Sequence, residues 1–123
     1  MLSAIDHVGV AVPSIDEALA VYRDTLQMEL VHRETVEDQG VHAALLDVGD
    51  SHIELIEPIS PDTGVGRFLE RNGPGMHHVA YRVASVDDAL ALELGFRTLL
   101  VTWRRLHDEP EDFARQLRAI LAH

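Results

Sequence analysis

One stretch of this chain is written twice. Asp6-His7-Val8-Gly9-Val10-Ala11-Val12-Pro13-Ser14-Ile15-Asp16-Glu17-Ala18-Leu19-Ala20 returns as His77-His78-Val79-Ala80-Tyr81-Arg82-Val83-Ala84-Ser85-Val86-Asp87-Asp88-Ala89-Leu90-Ala91. At one constant offset, His, Val, Val, Ser, Asp, Ala, Leu and Ala recur unchanged, and Ile15/Val86 and Glu17/Asp88 are conservative replacements. Self-similarity at a fixed offset marks repeated structural units. The chain therefore reads as two copies of one module, and its 123 residues fit a single domain.

Each copy opens with a β-rich run, Ile5 to Val12 and Met76 to Val83. Each then offers a helix start, Ser14 or Ser85, with acidic residues in the first turn, where the helix dipole favours them. The first helix is predicted to reach about Leu26, with Ile15, Ala18, Leu19, Tyr22 and Leu26 on one stripe. The second is predicted to end near Gly95. Three strands follow the first helix: Glu29 to Thr35, Val41 to Val48 and His52 to Ile59. Asp38-Gln39-Gly40 and Gly49-Asp50-Ser51 supply the turns between them. The first module is thus βαβββ over residues 4–59, and a linker with a short helix near Val65 to Asn72 occupies 60–74. The second module, 75–103, is incomplete: after a strand from Phe96 to Trp103 it gives way to a helix over 109–122. Phe113, Leu117, Ile120 and Leu121 share a face of that helix, and Pro110 suits its first turn. The predicted fold class is α+β, paired βαβββ modules in a mixed sheet with the second module cut short.

Composition narrows the chemistry. A net charge of -11 leaves no basic face for nucleic acid. No apolar run approaches the ~20 residues of a membrane span, and the first residues lack the pattern of a signal peptide, so a soluble cytoplasmic protein is expected. Lysine and cysteine are both absent, which removes Schiff-base, P-loop-lysine and thiolate chemistry. Eight histidines beside 21 carboxylates point to imidazole and carboxylate chemistry, with or without a metal.

The repeat singles out two of those histidines. His7 and His78 hold equivalent places in equivalent first strands, so pseudo-twofold packing of those strands brings the imidazoles together. Glu54, a charged residue inside the apolar run Ile53-Glu54-Leu55-Ile56, is the natural oxygen donor from a third strand. A buried carboxylate needs a partner, and a divalent cation is an adequate one. Two imidazoles and a carboxylate suit Zn²⁺, Mn²⁺, Co²⁺, Ni²⁺ or Fe²⁺. The plainer alternative makes Glu54 a solvent-facing strand residue, with Glu57 a similar case. Period-2 alternation sends His77 to the face opposite His78. His32, His42, His52, His107 and His123 fit no repeat and read as surface residues.

These residues also carry a resemblance. Ile5-Asp6-His7-Val8-Gly9-Val10-Ala11-Val12 followed by Ala18-Leu19-Ala20-Val21-Tyr22-Arg23-Asp24-Thr25-Leu26 resembles the opening of glyoxalase-like, vicinal oxygen chelate proteins. Three further segments resemble the methylmalonyl-CoA epimerase branch: Glu37-Asp38-Gln39-Gly40-Val41, Ile53-Glu54-Leu55-Ile56-Glu57-Pro58, and Phe68-Leu69-Glu70-Arg71-Asn72-Gly73-Pro74-Gly75-Met76-His77-His78-Val79-Ala80. The resemblance covers residues 4 to about 97. It implies one divalent ion held by His7, Glu54 and His78. It also implies an acyl-CoA substrate, a 1,1-proton transfer through a stabilised enolate, and a homodimer in which modules can be exchanged. Arg67, Arg71 and Arg82 are weak candidates for the CoA phosphates or the substrate carboxylate, surface solvation being the plainer role for each. The sequence departs from the branch in two places: no strand carries the glutamate that supplies a fourth ligand, and no glutamate stands near His42 and Ala43. No catalytic base follows from the motifs, and Glu54 is one only by default. A non-catalytic small-molecule binder of the same superfamily, lacking the fourth ligand, is the alternative.

Overall fold

The computed structural model of the protein describes residues 2–83 and 98–102, with side chains for residues 4–81. Strand β1 (Leu2–Ala11) leads to helix α1 (Ile15–Leu19), which runs on into a π-helical turn (Ala20–Thr25). Strand β2 (Glu29–Val36), a 3-10 turn (Glu37–Gln39), β3 (Val41–Val48) and β4 (Ser51–Pro58) complete the first βαβββ module. Helix α2 (Gly64–Asn72) then leads to β5 (Gly75–Val83), and β6 is Thr98–Thr102. The predicted second helix ending near Gly95 and the closing helix over 109–122 lie outside the described residues.

The strands form one open mixed sheet in the order β2-β3-β4-β1-β5-β6. β1 runs parallel to β4 and antiparallel to β5, so the first strands of the two modules do lie side by side within the sheet. β6 pairs antiparallel with β5, on the flank equivalent to the one β4 takes on β1, where the pairing is parallel.

Alternation along the strands divides two apolar clusters between the faces of the sheet. Ala44, Leu46 and Leu55 pack with Val12, Ile15 and Leu19 under α1. Their strand neighbours Ala43 and Ile56 point the other way and pack with Ala11, Val41 and Val65 under α2. Ile15, Leu19, Leu46 and Leu55 are fully buried, and each such side chain contributes about 1.5–3 kcal/mol relative to exposure. Ser14 caps α1 by accepting from the Glu17 N–H, as its place before an acidic first turn predicts. The Glu57 carboxylate accepts from the Ile15 N–H at 2.8 Å. A second unpaired donor at the start of α1 is thereby satisfied from β4, so the plainer solvent-facing alternative does not hold for Glu57.

The predicted stripe of the first helix holds through Tyr22, which packs against the same cluster, and fails at Leu26, which is 55% exposed. The cause is the π-helical turn. The Leu26 N–H reaches back five residues to the Val21 carbonyl, widening the turn and rotating Leu26 off the α-helical phase.

Candidate metal centre

β1 has a neighbour on each side, and the register fixes which side chains meet over it. Gly9 lies opposite Glu54 on β4 and opposite His78 on β5, while His7 lies opposite Ala80. His7 and Gly9 are two apart and share a face. His7, Glu54 and His78 consequently gather on one face of the sheet, on three adjacent strands. The His7 Nε2 and His78 Nε2 atoms are 3.1 Å apart. The Glu54 Oε1 atom lies 3.9 Å from the first and 3.5 Å from the second. One donor atom from each of the three residues falls within 4.8 Å of the others, the arrangement that suits a single cation.

Gly9 makes room for this convergence. A Cβ built on Gly9 would stand 2.1 Å from the His78 Cε1 and 2.4 Å from both ring nitrogens. The imidazole therefore lies directly over the backbone of β1, a position that only a residue without a side chain permits. His78 is almost wholly buried there, whereas His7 and Glu54 are partly open.

The outer nitrogens are engaged as well. His7 Nδ1 is 2.9 Å from the Asp6 Oδ2, and His78 Nδ1 is 2.9 Å from the His77 Nδ1. The His77 ring also meets His78 and Phe68 edge-on, with centroids 5.2 and 4.9 Å away. This corrects the expected placement of His77 on the far face. The register of β1 and β5 slips between Gly9 and Val10, which face His78 and Met76, so His77 is an extra residue in a β-bulge. Two residues of the bulged strand then oppose one, and simple alternation is lost.

The donor set fits a divalent cation. Two imidazole nitrogens and a carboxylate oxygen suit the borderline first-row ions, Co²⁺, Mn²⁺, Zn²⁺, Ni²⁺ and Fe²⁺. Contact with His78 holds the Glu54 carboxyl below the ordinary carboxylate range; burial opposes this, and the nearby His7 adds to the lowering. The carboxylate is therefore ionised at neutral pH, as a ligand must be. Burial, followed by the proximity of His78, holds the His77 imidazole below its ordinary value.

The other candidates stand apart. Arg67 and Arg71 are exposed on α2, and Arg67 donates to the Asp62 carbonyl. Neither is joined to the three donors by a hydrogen bond or ion pair among the described residues. Arg82 lies in β5 opposite Ala4, and its side chain is outside the described residues. His32 is exposed, as expected. His42 and His52 are half-buried, with ring nitrogens 2.8 Å from the Thr35 Oγ1 and 2.9 Å from the Asp47 Oδ1 respectively. His107 and His123 lie outside the described residues. Sequence reasoning missed Asp6 and Gly9. The signals were present: Asp6 occupies the place of His77 in the repeat, and Gly9 interrupts a run of strand formers.

The known proteins that this chain resembles agree with its fold. A sequence profile of the Glyoxalase/Bleomycin resistance protein/Dioxygenase superfamily matches residues 6–114. An uncharacterized protein, YqjC, of Bacillus subtilis (strain 168) is 42% identical over 89 residues, which are 72% of this chain and 64% of that protein. The mitochondrial methylmalonyl-CoA epimerase of Mus musculus is 32% identical over 90 residues, 72% of this chain and 51% of that protein. This chain thus spans between half and two thirds of the length of those two relatives. Among solved structures, a variant of Streptomyces coelicolor methylmalonyl-CoA epimerase in complex with 2-nitronate-propionyl-CoA superposes with a TM-score of 0.65 at 40% identity, covering 76% of this chain and 71% of that one. No helix among the described residues is long and apolar enough to cross a membrane. The chain belongs to the glyoxalase/bleomycin resistance protein/dioxygenase superfamily and is, within it, a protein similar to the methylmalonyl-CoA epimerases.

Proposed function

We propose that this protein is a metal-dependent epimerase that interconverts the (R) and (S) forms of methylmalonyl-CoA by a 1,1-proton transfer. The observation that carries the reading is the convergence of His7, Glu54 and His78 on one face of the sheet. It occurs in a chain similar to proteins named for that reaction. When bound, a divalent cation would supply the Lewis acidity that eases negative charge onto a thioester oxygen, while a base on one face takes the Cα proton and an acid on the other returns one; neither role is assigned to a described residue.

The chain's own residues have separable tasks in this reading. His7 and His78 present Nε2 lone pairs, and Glu54 brings one negative charge. We read Glu54 as a ligand rather than a base, because a base working near neutrality is most effective with a pKa close to the working pH, and Glu54 is held well below that. Arg67 and Arg71 stand exposed on α2, which packs over the same face as the three donors. In a protein of net charge -11 they offer local positive charge for the CoA phosphates. The working unit is taken to be a homodimer, which sedimentation of the purified protein tests, and its place the cytoplasm, which cell fractionation tests.

Deuterium wash-in is the direct assay. Purified protein loaded with Co²⁺ or Mn²⁺ exchanges the Cα proton of methylmalonyl-CoA with solvent deuterium, and chelation abolishes the exchange. Protein that binds metal and methylmalonyl-CoA yet gives no exchange above background overturns the epimerase reading and leaves a small-molecule binder.

A further inference from the structure

The two histidines that meet at Nε2 are alike in another respect. Each follows a residue that the β1–β5 pairing leaves without an opposite number. Ile5 faces Tyr81 and His7 faces Ala80, so Asp6 is the extra residue on β1; Gly9 faces His78 and Val10 faces Met76, so His77 is the extra residue on β5. An extra residue in a bulge turns its side chain towards that of its neighbour. In both places the neighbour is the metal-ligand candidate, and in both the contact is made at Nδ1, at 2.9 Å. Asp6 and His77 are also equivalent positions of the internal repeat.

We propose that Asp6 and His77 are a matched pair of positioning residues, each set by a bulge to accept the Nδ1–H of the histidine next to it in sequence and thereby to aim that histidine's Nε2 lone pair at the shared cation. The proposal rests on the metal-centre reading above. A neutral imidazole carries its proton on one nitrogen only, so a histidine that binds a cation through Nε2 must carry it on Nδ1. That proton needs an acceptor. The Asp6 carboxylate is acceptor-only when ionised, and holds His7 in this tautomer by charge as well as geometry. His77 meets the same need as a neutral ring: with its own proton on Nε2, its Nδ1 lone pair faces the His78 N–H. The Phe68 ring, packed edge-on against His77 from α2, keeps the acceptor in place. The two ligands are consequently unequal. A carboxylate stands behind His7 and a neutral ring behind His78.

Co²⁺ binding to the protein tests this, read by calorimetric affinity and by the visible d–d spectrum, with melting of the metal-free variants as the control for folding. Asp6→Ala and His77→Phe each weaken Co²⁺ binding about ten- to hundredfold and alter the spectrum. His77→Gln, whose amide oxygen can accept the same proton, recovers affinity and spectrum. Asp6→Asn, an uncharged acceptor, falls between wild type and Asp6→Ala. Folded Asp6→Ala and His77→Phe proteins with wild-type affinity and spectrum overturn the proposal. So does a His77→Gln variant no better than His77→Phe. If Asp6→Ala or His77→Phe does not fold, the milder pair Asp6→Asn and His77→Gln decides: wild-type affinity in the first with loss of affinity in the second rejects the pairing. Failure of the wild-type protein to bind Co²⁺ at all is a different result, and removes the metal-centre reading itself.

Discussion

Replacing Gly9 by Ala adds one methyl group to β1 and should dismantle the proposed metal centre. The new Cβ would stand 2.1 Å from the His78 Cε1 and 2.4 Å from its Nδ1 and Nε2. Ordinary contact begins near 3.4 Å, so the ring must retreat by roughly 1.3 Å. The obstacle is a side chain and not backbone, so the imidazole moves and the strand stays. The ring has little freedom: it is buried, and His77 and His7 meet it edge-on. Overpacking of this kind costs about 1–3 kcal/mol, of which the lower entropy of an unfolded chain with Ala in place of Gly returns about 0.4–1 kcal/mol. The fold therefore survives, with a net loss on the order of 1–2 kcal/mol. The site does not, because donor distances must hold to about 0.2 Å for a metal bond. Losing His78 as a donor should lower Co²⁺ affinity at least about a hundredfold, the upper end of what loss of a mere orienting partner does. Calorimetric titration with Co²⁺, paired with thermal melts, measures both quantities. Gly49→Ala is the control: no atom lies within 4 Å of a Cβ there, although its φ of 55° makes the substitution strained. It should lose about 1 kcal/mol of stability and no affinity. A Gly9→Ala protein that binds Co²⁺ within threefold of wild type would refute the account of why this strand carries a glycine.

The geometry dictates three further outcomes. His7→Ala, His78→Ala and Glu54→Ala should each abolish stoichiometric Co²⁺ binding in metal analysis after desalting, whereas His32→Ala, which removes an exposed pairing with Glu34, should retain it. Glu57→Ala leaves the Ile15 N–H without its acceptor and should cost about 1–2 kcal/mol in urea unfolding, with Co²⁺ affinity unchanged. The depressed value of His77 means that the unfolded chain takes up its proton first on acidification. Stability is then complete above about pH 6.5 and declines below it, so melting of metal-free wild type from pH 7 to 5 should fall more steeply than that of His77→Phe.

Much of this was legible in the sequence, because the informative signals were local or repeated. Hydrophobic alternation bounded by Gly40 and Gly49 located β3 to the residue, and both glycines do adopt a positive φ in the turns. Ser14 announced α1. The recurrence of His7 as His78 required only that equivalent strands pair, which β1 and β5 do. Glu54 stood out because a charge amid apolar strand residues has to be accounted for. Other features were not legible, because they depend on contacts between distant segments. The carboxylate that completes the start of α1 comes from Glu57, 42 residues away. The π-helical turn that exposes Leu26 leaves no mark in a stripe of apolar residues at helical spacing. The flank of β5 that β6 takes likewise cannot be read from alternation within either strand.

The bulges are the most instructive case. Reading along β5 alone, His77 and His78 must face opposite ways, and nothing in Met76-His77-His78-Val79 contradicts that. A bulge is a mismatch in count between two strands, so it exists only once β1 is laid beside β5. The repeat nevertheless carried the information in another form. Asp6 and His77 are dissimilar residues in equivalent places, each before a retained histidine, and both are able to accept a proton from that neighbouring ring. Hydrophobic alternation favours an unbroken β1–β5 ladder, whereas a ligand histidine needs an acceptor for its Nδ1–H, which in the proposed arrangement its own strand supplies. One extra residue at each place meets that need with little loss of pairing: β1 and β5 remain in register over eight pairs despite three slips. Two of the three slips thus fall beside the proposed ligand histidines, where local alternation fails.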